Sequence, residues 1–392
     1  MRPELLAPAG SPESLRAAVQ NGADAVYLGW GEFNARRGAK NFNDQEFADA
    51  LVYCHARGVK VFLTMNTLLT DRELPAALKT ATEACRLGID ALIIQDWGLF
   101  DLLRKALPDL PLHASTQMSV FTSGGACEVA ADGCERVVIA RECSAEDTAK
   151  ICKTCPVEIE SFVHGALCMC YSGQCAMSAV VGSRSGNRGR CAQPCRLPYG
   201  FNEPAKKKYP LSLKDSCLLE YLHELKRMGV RSLKIEGRVK TAYYAAVVTN
   251  AYRRAAELYV KDPMNFAPPR ELLDEVWKMF WLTVGGRYLP DYLPLHLCSI
   301  NIILIAIHAW KPSKTLDNFL YGICIPGALA AMLFSTWTPL PTLNFMHLHS
   351  FTIHILLIAY PVMLTVGGDI RPDWRVLPKC LLLTLCMAVP IY

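Results

Sequence analysis

The sequence predicts an α/β protein, a parallel (β/α)8 barrel of the TIM type, followed by a partial all-α transmembrane domain. Short apolar segments alternate with helical patterns over the first two thirds of the 392 residues, as expected for a parallel sheet with crossover helices. Eight such segments are present, which is the number of strands that closes this barrel. Beyond about residue 278 charged residues become rare and long apolar runs begin.

The elements of the barrel can be taken in chain order. The predicted strands are residues 4–7, 25–29, 59–65, 91–95, 112–117, 136–140, 157–163 and 232–236. The first helix begins after Ser11, which together with Glu13 is typical of a capped N-terminus, and it extends to Asn21. Further helices are predicted at residues 44–57, 74–87, 98–106, 145–154, 217–228 and 241–259, and the last of these completes the barrel.

Length and composition predict two domains. We place the barrel at residues 1–262 with a cysteine-rich insertion at 165–215, a linker at 263–280, and a partial integral membrane domain at 281–392. The net charge is only +5, but residues 184–240 contain fourteen Lys and Arg against five Asp and Glu. This local excess is compatible with a phosphate-rich partner such as RNA. A solvated loop with three consecutive lysines at its tip explains the same charges.

Four cysteines lie within 28 residues of the insertion: Cys168, Cys175, Cys191 and Cys195. The first residues lack the long apolar segment of a signal peptide, so we expect a reducing compartment, where clustered thiols indicate a metal or a cluster rather than disulfides. Their intervals of six, fifteen and three residues differ from the short pairs of structural zinc sites. An iron–sulfur cluster takes four thiolates at irregular spacing. We therefore predict a 4Fe–4S cluster, with zinc or plain buried thiols as alternatives.

Polar residues follow almost every predicted strand. The C-terminal ends of the strands form one face of this barrel, and that face holds the active sites of such enzymes, so we expect a shared polar mouth. The candidate catalytic residues are Arg36, Arg141, Glu160, His164, Lys234, Glu236 and Arg238. The basic members of this set supply the positive charge that a small anionic substrate needs. For each residue alone, a supporting or surface role is the alternative.

The residues contain no familiar protease machinery. His113 and Ser115 lie two apart on one face of the fifth strand and are the only local pair that suggests a base and a nucleophile. The sequence pattern supplies neither a third group nor an oxyanion hole for this pair. The sequence also lacks the His-Glu-x-x-His zinc motif.

Three blocks of residues carry a family resemblance: Glu160, Phe162, Gly165, Cys168, Gly173, Cys175, Met177 and Ser178; Asn187, Arg188, Gly189, Cys191, Cys195 and Arg196; and Leu233 to Arg238. Together they resemble the signature of the collagenase-like peptidases of unclassified mechanism, over residues 3–279. That family also includes proteins required for 5-hydroxylation of tRNA uridine and rRNA cytidine, and relatives that act in oxygen-independent ubiquinone synthesis.

The resemblance implies a 4Fe–4S cluster held by Cys168, Cys175 and Cys191, with Cys195 as the fourth ligand and Cys217 as its substitute. It also implies an enzyme that hydroxylates a base of tRNA or rRNA, with an anion, prephenate, as the small substrate of the tRNA-hydroxylating relatives. Two other functions stay open. One is a collagenase-like endopeptidase, and the other is a non-catalytic RNA-binding scaffold whose cluster only folds the loop.

The C-terminal third contains long apolar runs at residues 293–310, 319–337 and 348–366, and a fourth begins at 376. Each of the first three approaches the ~20 residues of a membrane-spanning helix. The segment LPLHLCS at residues 293–299 resembles the signature of an uncharacterised bacterial integral membrane family, related to a eukaryotic transmembrane phospholipid acyltransferase. The resemblance implies Cys298 as an acyl-accepting thiol, with His296, His347, His349 or His354 as its base. Polar contacts between packed helices are the alternative role of these residues.

These runs predict a multi-pass, membrane-associated chain whose barrel lies in the cytoplasm. The basic residues of the connecting loops instead place the barrel outside under the positive-inside rule. A further helix before residue 293 would restore the parity. We therefore hypothesise that two unrelated genes are joined near residues 279–281, by natural fusion or by an error in sequence assembly.

Overall fold

The computed structural model describes residues 2–37, 40–200, 209–283, 304–305, 307–325, 345–371, 373–376 and 378–380. The chain divides into two compact units, residues 1–284 and residues 285–392. The sequence analysis placed this boundary between residues 280 and 281.

Eight parallel strands close into a barrel in the first unit. Six strands pair in order from the first to the sixth, the sixth pairs with the seventh, and the last strand pairs with both the seventh and the first. The strands are β1 (Glu4–Pro8), β2 (Ala25–Leu28), β3 (Lys60–Met65), β4 (Ala91–Ile94), β5 (Leu112–Ala114), β6 (Arg136–Val138), β7 (Glu158–Gly165), β8 (Ser216–Cys217) and β9 (Ser232–Ile235). The predicted barrel is therefore confirmed, and β8 is a short antiparallel addition to the end of β7.

Helices cover the outside of the barrel. They are α1 (Pro12–Gln20), α2 (Asp44–His55), α3 (Leu74–Leu87), α4 (Trp97–Ala106), α5 (Ser123–Ala131), α6 (Ala145–Thr154), α7 (Met177–Gly182), α8 (Leu222–Met228), α9 (Ala242–Lys261) and α10 (Arg270–Thr283). Side-chain oxygens of Ser11, Asn43, Asp96, Thr122, Ser144 and Thr241 accept backbone N–H groups at helix starts. These caps satisfy donors that a helix itself leaves unpaired, and they place each helix start directly after a loop.

Two predicted elements differ from the observed ones. The helix expected at residues 217–228 begins only at Leu222, because Ser216 and Cys217 pair with Gly165 and His164 at the end of β7. Residues 263–280, expected as a linker, contain most of α10. The side chains of Leu272 and Val276 on this helix are buried in the same apolar cluster as residues of α9.

The described elements of the second unit include α11 (Lys314–Phe319), a π-helical turn at Leu320–Cys324, and α12 (Phe345–Val366) with Pro361 in its interior. His308 joins two parts of this unit, because its ring nitrogens lie 2.8 Å from Asp317 Oδ1 and 3.1 Å from the Tyr360 hydroxyl.

The expected multi-pass membrane chain is wrong, because no helix within the described segments is both long enough and apolar enough to cross a bilayer. The first predicted run is described only at residues 304–305 and 307–310, and the second only up to residue 325. Cys298 and His296 lie outside the described residues, as do residues 381–392, whereas the other three candidate histidines lie on α12.

The interior of the barrel carries buried ion pairs in place of part of the usual apolar filling. Arg136, the first residue of β6, lies 2.5 Å from Glu4, 2.6 Å from Glu158 and 3.1 Å from Glu160. Glu160 is fully buried, and its second oxygen lies 2.7 Å from Lys234 Nζ. Glu160 therefore joins the two cations inside the barrel, where each charge needs its partner because none is solvated.

Replacing Glu160 by Gln is expected to lower the free energy of unfolding by about 3 kcal/mol or more, because two buried cations lose a shared counter-charge. Glu158→Gln is the matched control, since Glu158 contacts the same arginine but its side chain is 52% exposed. An exposed ion pair contributes at most about 1 kcal/mol. Urea unfolding at neutral pH compares the two variants, and equal losses would contradict the prediction.

The difference in unfolding free energy between wild type and Glu160→Gln should also depend on pH. Burial raises the pKa of Glu160, but Lys234 and Arg136 outweigh burial and hold the pKa at about 2. The ionised form therefore stabilises the folded chain above the pKa of an unfolded glutamate, about 4.3. That contribution is lost as the pH falls towards 2, so the difference in stability between wild type and Glu160→Gln should shrink in acid.

Candidate active site at the mouth of the barrel

An ionised carboxylate lies at the centre of the mouth. Glu236 directly follows β9, and its two oxygens lie 3.1 Å from Arg36 Nη2 and 2.9 Å from Arg141 Nη2. Burial raises the pKa of Glu236, but Arg36, Arg141 and Arg238 outweigh it and hold the pKa at about 2. Glu236 therefore stays charged at neutral pH and holds two arginines from different loops in one place.

Arg238 adds a further positive charge. Its Nη1 donates hydrogen bonds to Thr64 Oγ1 at 2.9 Å and Asn34 Oδ1 at 3.3 Å. Burial lowers the pKa of Arg238 to about 10, so the guanidinium is still protonated at neutral pH. Because Glu236 is one negative charge among three arginines, the mouth has a net positive charge.

A small cavity of about 40 Å³ lies among these groups. It is lined by Tyr27, Ala35, Arg36, Thr64, Asn66, Ile93, Ser115, Thr116, Gln117, Phe162, Lys234, Glu236 and Arg238. The Nε atoms of Arg36 and Arg141 are buried and lack a hydrogen-bond partner in the described part of the chain. Buried donors of this kind are normally satisfied by water or a ligand. The mouth is therefore built to receive hydrogen-bond acceptors, and anionic ones fit its charge.

The cysteine insertion packs directly onto the mouth. A Cβ at Gly173 would lie 2.1 Å from the Gln117 carbonyl oxygen, and one at Gly189 would lie 2.1 Å from the Asn34 carbonyl oxygen. Both glycines also have positive φ angles, which other residues rarely adopt. Arg188 in the same insertion lies 2.6 Å from Glu73. These contacts hold the insertion against the loops that follow β2, β3 and β5.

The four predicted ligand cysteines all belong to the insertion that packs onto the mouth. Cys168 Sγ lies 3.9 Å from Arg141 Nη1, so this arginine contacts both Glu236 and the first cysteine. Burial raises the pKa of the Cys195 thiol, and the neighbouring Cys168, Cys191 and Cys175 raise it further. These three thiols therefore affect the ionisation of Cys195. In the described ranges, however, no set of three or more His, Cys, Asp or Glu side chains is close enough to hold a metal ion.

Cys217 lies on the short strand β8. It pairs with His164 on β7. Burial is the main cause that raises the pKa of its thiol, and hydrogen bonds to the Leu219 backbone and to Tyr252 oppose this effect.

The structure brings five of the seven candidate catalytic residues together. Arg36, Lys234, Glu236 and Arg238 line the cavity, and Arg141 contacts Glu236 from above. Glu160 lies deeper, in the ion pairs that neutralise Lys234.

His164 lies outside the mouth. Its ring is buried against Tyr244 and Tyr252 of α9, with centroid distances of 6.0 and 5.7 Å, and burial lowers its pKa to about 4. The reason is a bulge between Phe162 and His164, which breaks the alternation of inward and outward side chains.

The sequence analysis missed aromatic and hydroxyl groups that shape the mouth. The Arg141 guanidinium lies 4.0 Å from the centre of the Phe162 ring, and the Tyr27 hydroxyl donates to the Ile235 carbonyl at 2.8 Å. The alternation of side chains along each strand could have indicated these groups. Phe162 shares a strand face with Glu160, and Thr64 lies on a predicted strand.

The suggested protease pair does not form. The Ser115 hydroxyl accepts hydrogen bonds from Asn66 Nδ2 and the Gln117 N–H, both at 3.2 Å. The His113 ring instead packs edge-on against Phe62, 4.8 Å between centroids, and burial lowers its pKa to about 3. His113 therefore lies below Ser115 in the barrel and does not act as its base in this arrangement.

The fold and the mouth define a TIM-barrel protein with a charged site at the C-terminal ends of its strands. Comparison with known families makes this specific, because the model of Peptidase family U32 matches residues 10–291. The chain belongs to that family. A second model, of the TMEM164 family, matches residues 248–392.

Individual relatives have several names. The chain is 37% identical over 291 residues to "tRNA hydroxylation protein P1" of Bacillus subtilis, covering 71% of this chain and 68% of the relative. It is 40% identical over 271 residues to the "23S rRNA 5-hydroxycytidine synthase" of Escherichia coli, covering 68% and only 41%. A "Collagenase" of Porphyromonas gingivalis is 34% identical over 275 residues, covering 65% and 66%. A solved U32 peptidase structure is 17% identical, with a TM-score of 0.43, and the match covers 60% of this chain and 94% of that one.

Thiol reactivity provides a test of this arrangement. In the reduced, metal-free chain, iodoacetamide is expected to label the exposed Cys168 and Cys191 first and the buried Cys54 last, because alkylation requires an accessible thiolate. Burial raises the pKa of Cys54 to about 12 and that of Cys134 to about 11. Timed labelling followed by peptide mass spectrometry measures the order. A Cys54 that reacts as fast as Cys168 would contradict the arrangement, and the urea-unfolded chain controls for intrinsic reactivity.

Proposed function

We propose that this chain is an enzyme that hydroxylates a base of tRNA or rRNA. The observation that carries the proposal is Arg141, whose guanidinium contacts both the buried carboxylate of Glu236 and the thiol of Cys168. Arg141 therefore connects the charged mouth with a thiol of the cysteine insertion. Relatives named as a tRNA hydroxylation protein and as an rRNA 5-hydroxycytidine synthase support RNA as the substrate class.

The mouth is suited to hold a small anion. Arg36 and Arg141 each retain one buried N–H without a partner among the described residues, and Arg238 forms no ion pair with a described carboxylate. Planar guanidinium groups bind carboxylates through paired hydrogen bonds. We therefore propose that an anionic substrate of the prephenate type binds here, next to the RNA base.

Glu236 would act by orientation rather than by taking a proton. A carboxylate with a pKa of about 2 is a weak base at neutral pH, whereas its contacts fix Arg36 and Arg141. Lys234 has its charge neutralised by Glu160. The groups left to bind the substrate are therefore the three arginines.

We also propose that Cys168, Cys175, Cys191 and Cys195 hold a 4Fe–4S cluster. Four thiols on one docked insertion supply the donor set of such a cluster, and the insertion holds Cys168 beside Arg141 at the mouth. Cys195 belongs to this insertion with the other three, whereas Cys217 lies on β8, so we take Cys195 as the fourth ligand. When bound, the cluster would either stabilise the fold of the loop or provide an iron that binds the small substrate. A zinc ion on the same thiols is the alternative.

A spectroscopic experiment tests the cluster. The full chain, purified without oxygen and reconstituted, is expected to show broad visible absorbance with about four irons and four sulfides per chain. Cys195→Ala should lower the iron content, whereas Cys217→Ala should leave it unchanged. If the wild-type chain stays colourless and binds zinc in place of iron, the cluster proposal fails.

A nucleoside assay tests the hydroxylation. Escherichia coli that lacks its own tRNA hydroxylation protein P and rRNA 5-hydroxycytidine synthase would express this chain. Mass spectrometry of digested RNA should then detect 5-hydroxyuridine or 5-hydroxycytidine. Glu236→Gln is expected to reduce the product on the order of a hundredfold, because misplaced positioning groups have effects of this size.

The matched control for this assay is Glu83→Gln, since Glu83 forms an exposed ion pair with Arg86 on α3. It should retain the wild-type level of product. The proposal fails if the wild-type chain yields neither nucleoside although the protein is folded and loaded with its cluster.

A collagenase-like peptidase is the second candidate, because one relative is named a collagenase. The contacts of Ser115 and His113 give no support to a serine nucleophile. Cleavage of gelatin that survives loss of the four insertion cysteines would favour the peptidase. RNA binding without modification would favour a scaffold.

A further inference from the structure

Two aromatic rings stack on each other at the surface beside the mouth. Phe121, in the loop after β5, is 44% exposed, and Tyr171, in the cysteine insertion, is 62% exposed. Their ring centroids lie 6.0 Å apart with planes inclined by 16°. An exposed apolar surface shared by two large side chains can serve as an interaction site.

The Tyr171 side of this pair is held in place. The backbone N–H and the hydroxyl of Ser172 donate to Glu142 Oε1 at 2.5 and 3.1 Å, and the Ser119 hydroxyl donates to the Ser172 carbonyl. Gly173 packs against the backbone of the loop after β5. The backbone that carries the ring is thus fixed before any partner arrives, so binding would lose little backbone conformational entropy.

The pair belongs to the rim of the proposed active site. Gln117, on whose carbonyl Gly173 packs, also lines the mouth cavity. Cys170 immediately precedes Tyr171, and Cys168 lies three residues before it. A molecule bound on the two rings would therefore lie beside both the mouth and the thiols.

The insertion that carries Tyr171 also carries exposed cations. Arg184, Arg190 and Lys214 are exposed, and none forms an ion pair with a carboxylate in the described residues. The Nε of Arg184 donates to the Arg190 carbonyl at 3.0 Å, so these two arginines are neighbours. Cations of this kind are free to contact phosphates.

We propose that Phe121 and Tyr171 form a stacking platform for an unpaired base of the RNA substrate. Single-stranded RNA combines a flat aromatic surface with a phosphate backbone, and proteins bind it through exposed rings among basic residues. An apolar protein partner would use the rings but not the unpaired cations. The inference rests on the proposed RNA function and adds that the substrate is single-stranded or looped where it meets the rim.

The test uses the full chain and a short single-stranded RNA that carries 2-aminopurine, whose fluorescence is quenched by stacking. Wild type should bind and quench. Tyr171→Ala and Phe121→Ala should each weaken binding by about tenfold and lose the quenching, whereas Tyr171→Phe should retain both. Because Phe121 lies outside the cysteine insertion, its variant separates loss of stacking from a disturbed loop, and iron content checks the loop directly.

Salt dependence separates the rings from the cations. Tyr171→Ala should leave the slope of log affinity against log salt unchanged, whereas Arg190→Gln should reduce it by about one and keep the quenching. Tyr53→Ala is the matched aromatic control. Tyr53 lies near the C-terminal end of α2, at the opposite end of the barrel, and its variant should bind RNA as wild type does.

Each outcome has a definite meaning. If wild type binds and hydroxylates RNA while both alanine variants bind and quench normally, the platform is overturned and the proposed function stands. If wild type binds no RNA, the proposed function and the platform fail together. If the variants change only self-association of the chain, the rings serve a protein interface and the platform is likewise overturned.

Discussion

The buried ion pairs of Glu160 with Arg136 and Lys234 are the constraint on which the rest of the barrel depends. The interior of such a barrel is usually filled by branched apolar side chains in layers. Here two cations from different strands share one fully buried carboxylate. Removing Glu160 alone leaves Lys234 without its ion-pair partner and takes one of three carboxylates from Arg136. Because Lys234 is neutralised from below, the charge of the mouth is set by the arginines around Glu236.

The mouth joins parts of the chain that lie far apart in sequence. Arg36 follows β2, Arg141 follows β6 and Glu236 follows β9, yet one carboxylate holds both arginines. The cysteine insertion closes over this group through Gly173 and Gly189, where any side chain would collide with backbone. The barrel supports the charged groups from below and the insertion supports them from above, so they stay oriented without a ligand. Such fixed orientation is required to position a small anion next to an RNA base.

Prediction from the sequence was most reliable for charged residues that directly follow a predicted strand. Arg36, Arg141, Glu236 and Arg238 were expected at strand ends and meet there. It was unreliable where a local irregularity of a strand changed the direction of a side chain. His164 was expected in the mouth, but the bulge after Phe162 turns it towards α9. The apolar runs of the C-terminal third were expected to span a membrane, and no described helix is able to do so.

The sequence by itself determined the number and order of the barrel strands, the polar composition of their ends and the clustering of four cysteines in one insertion. These properties follow from local periodicity and spacing, which each segment carries alone. Only the tertiary structure decided that Glu160 neutralises Lys234, that Cys217 pairs with His164, and that Phe121 stacks on Tyr171. Each of these pairs joins distant segments. Their contacts exist only after the barrel has closed, and no local pattern encodes them.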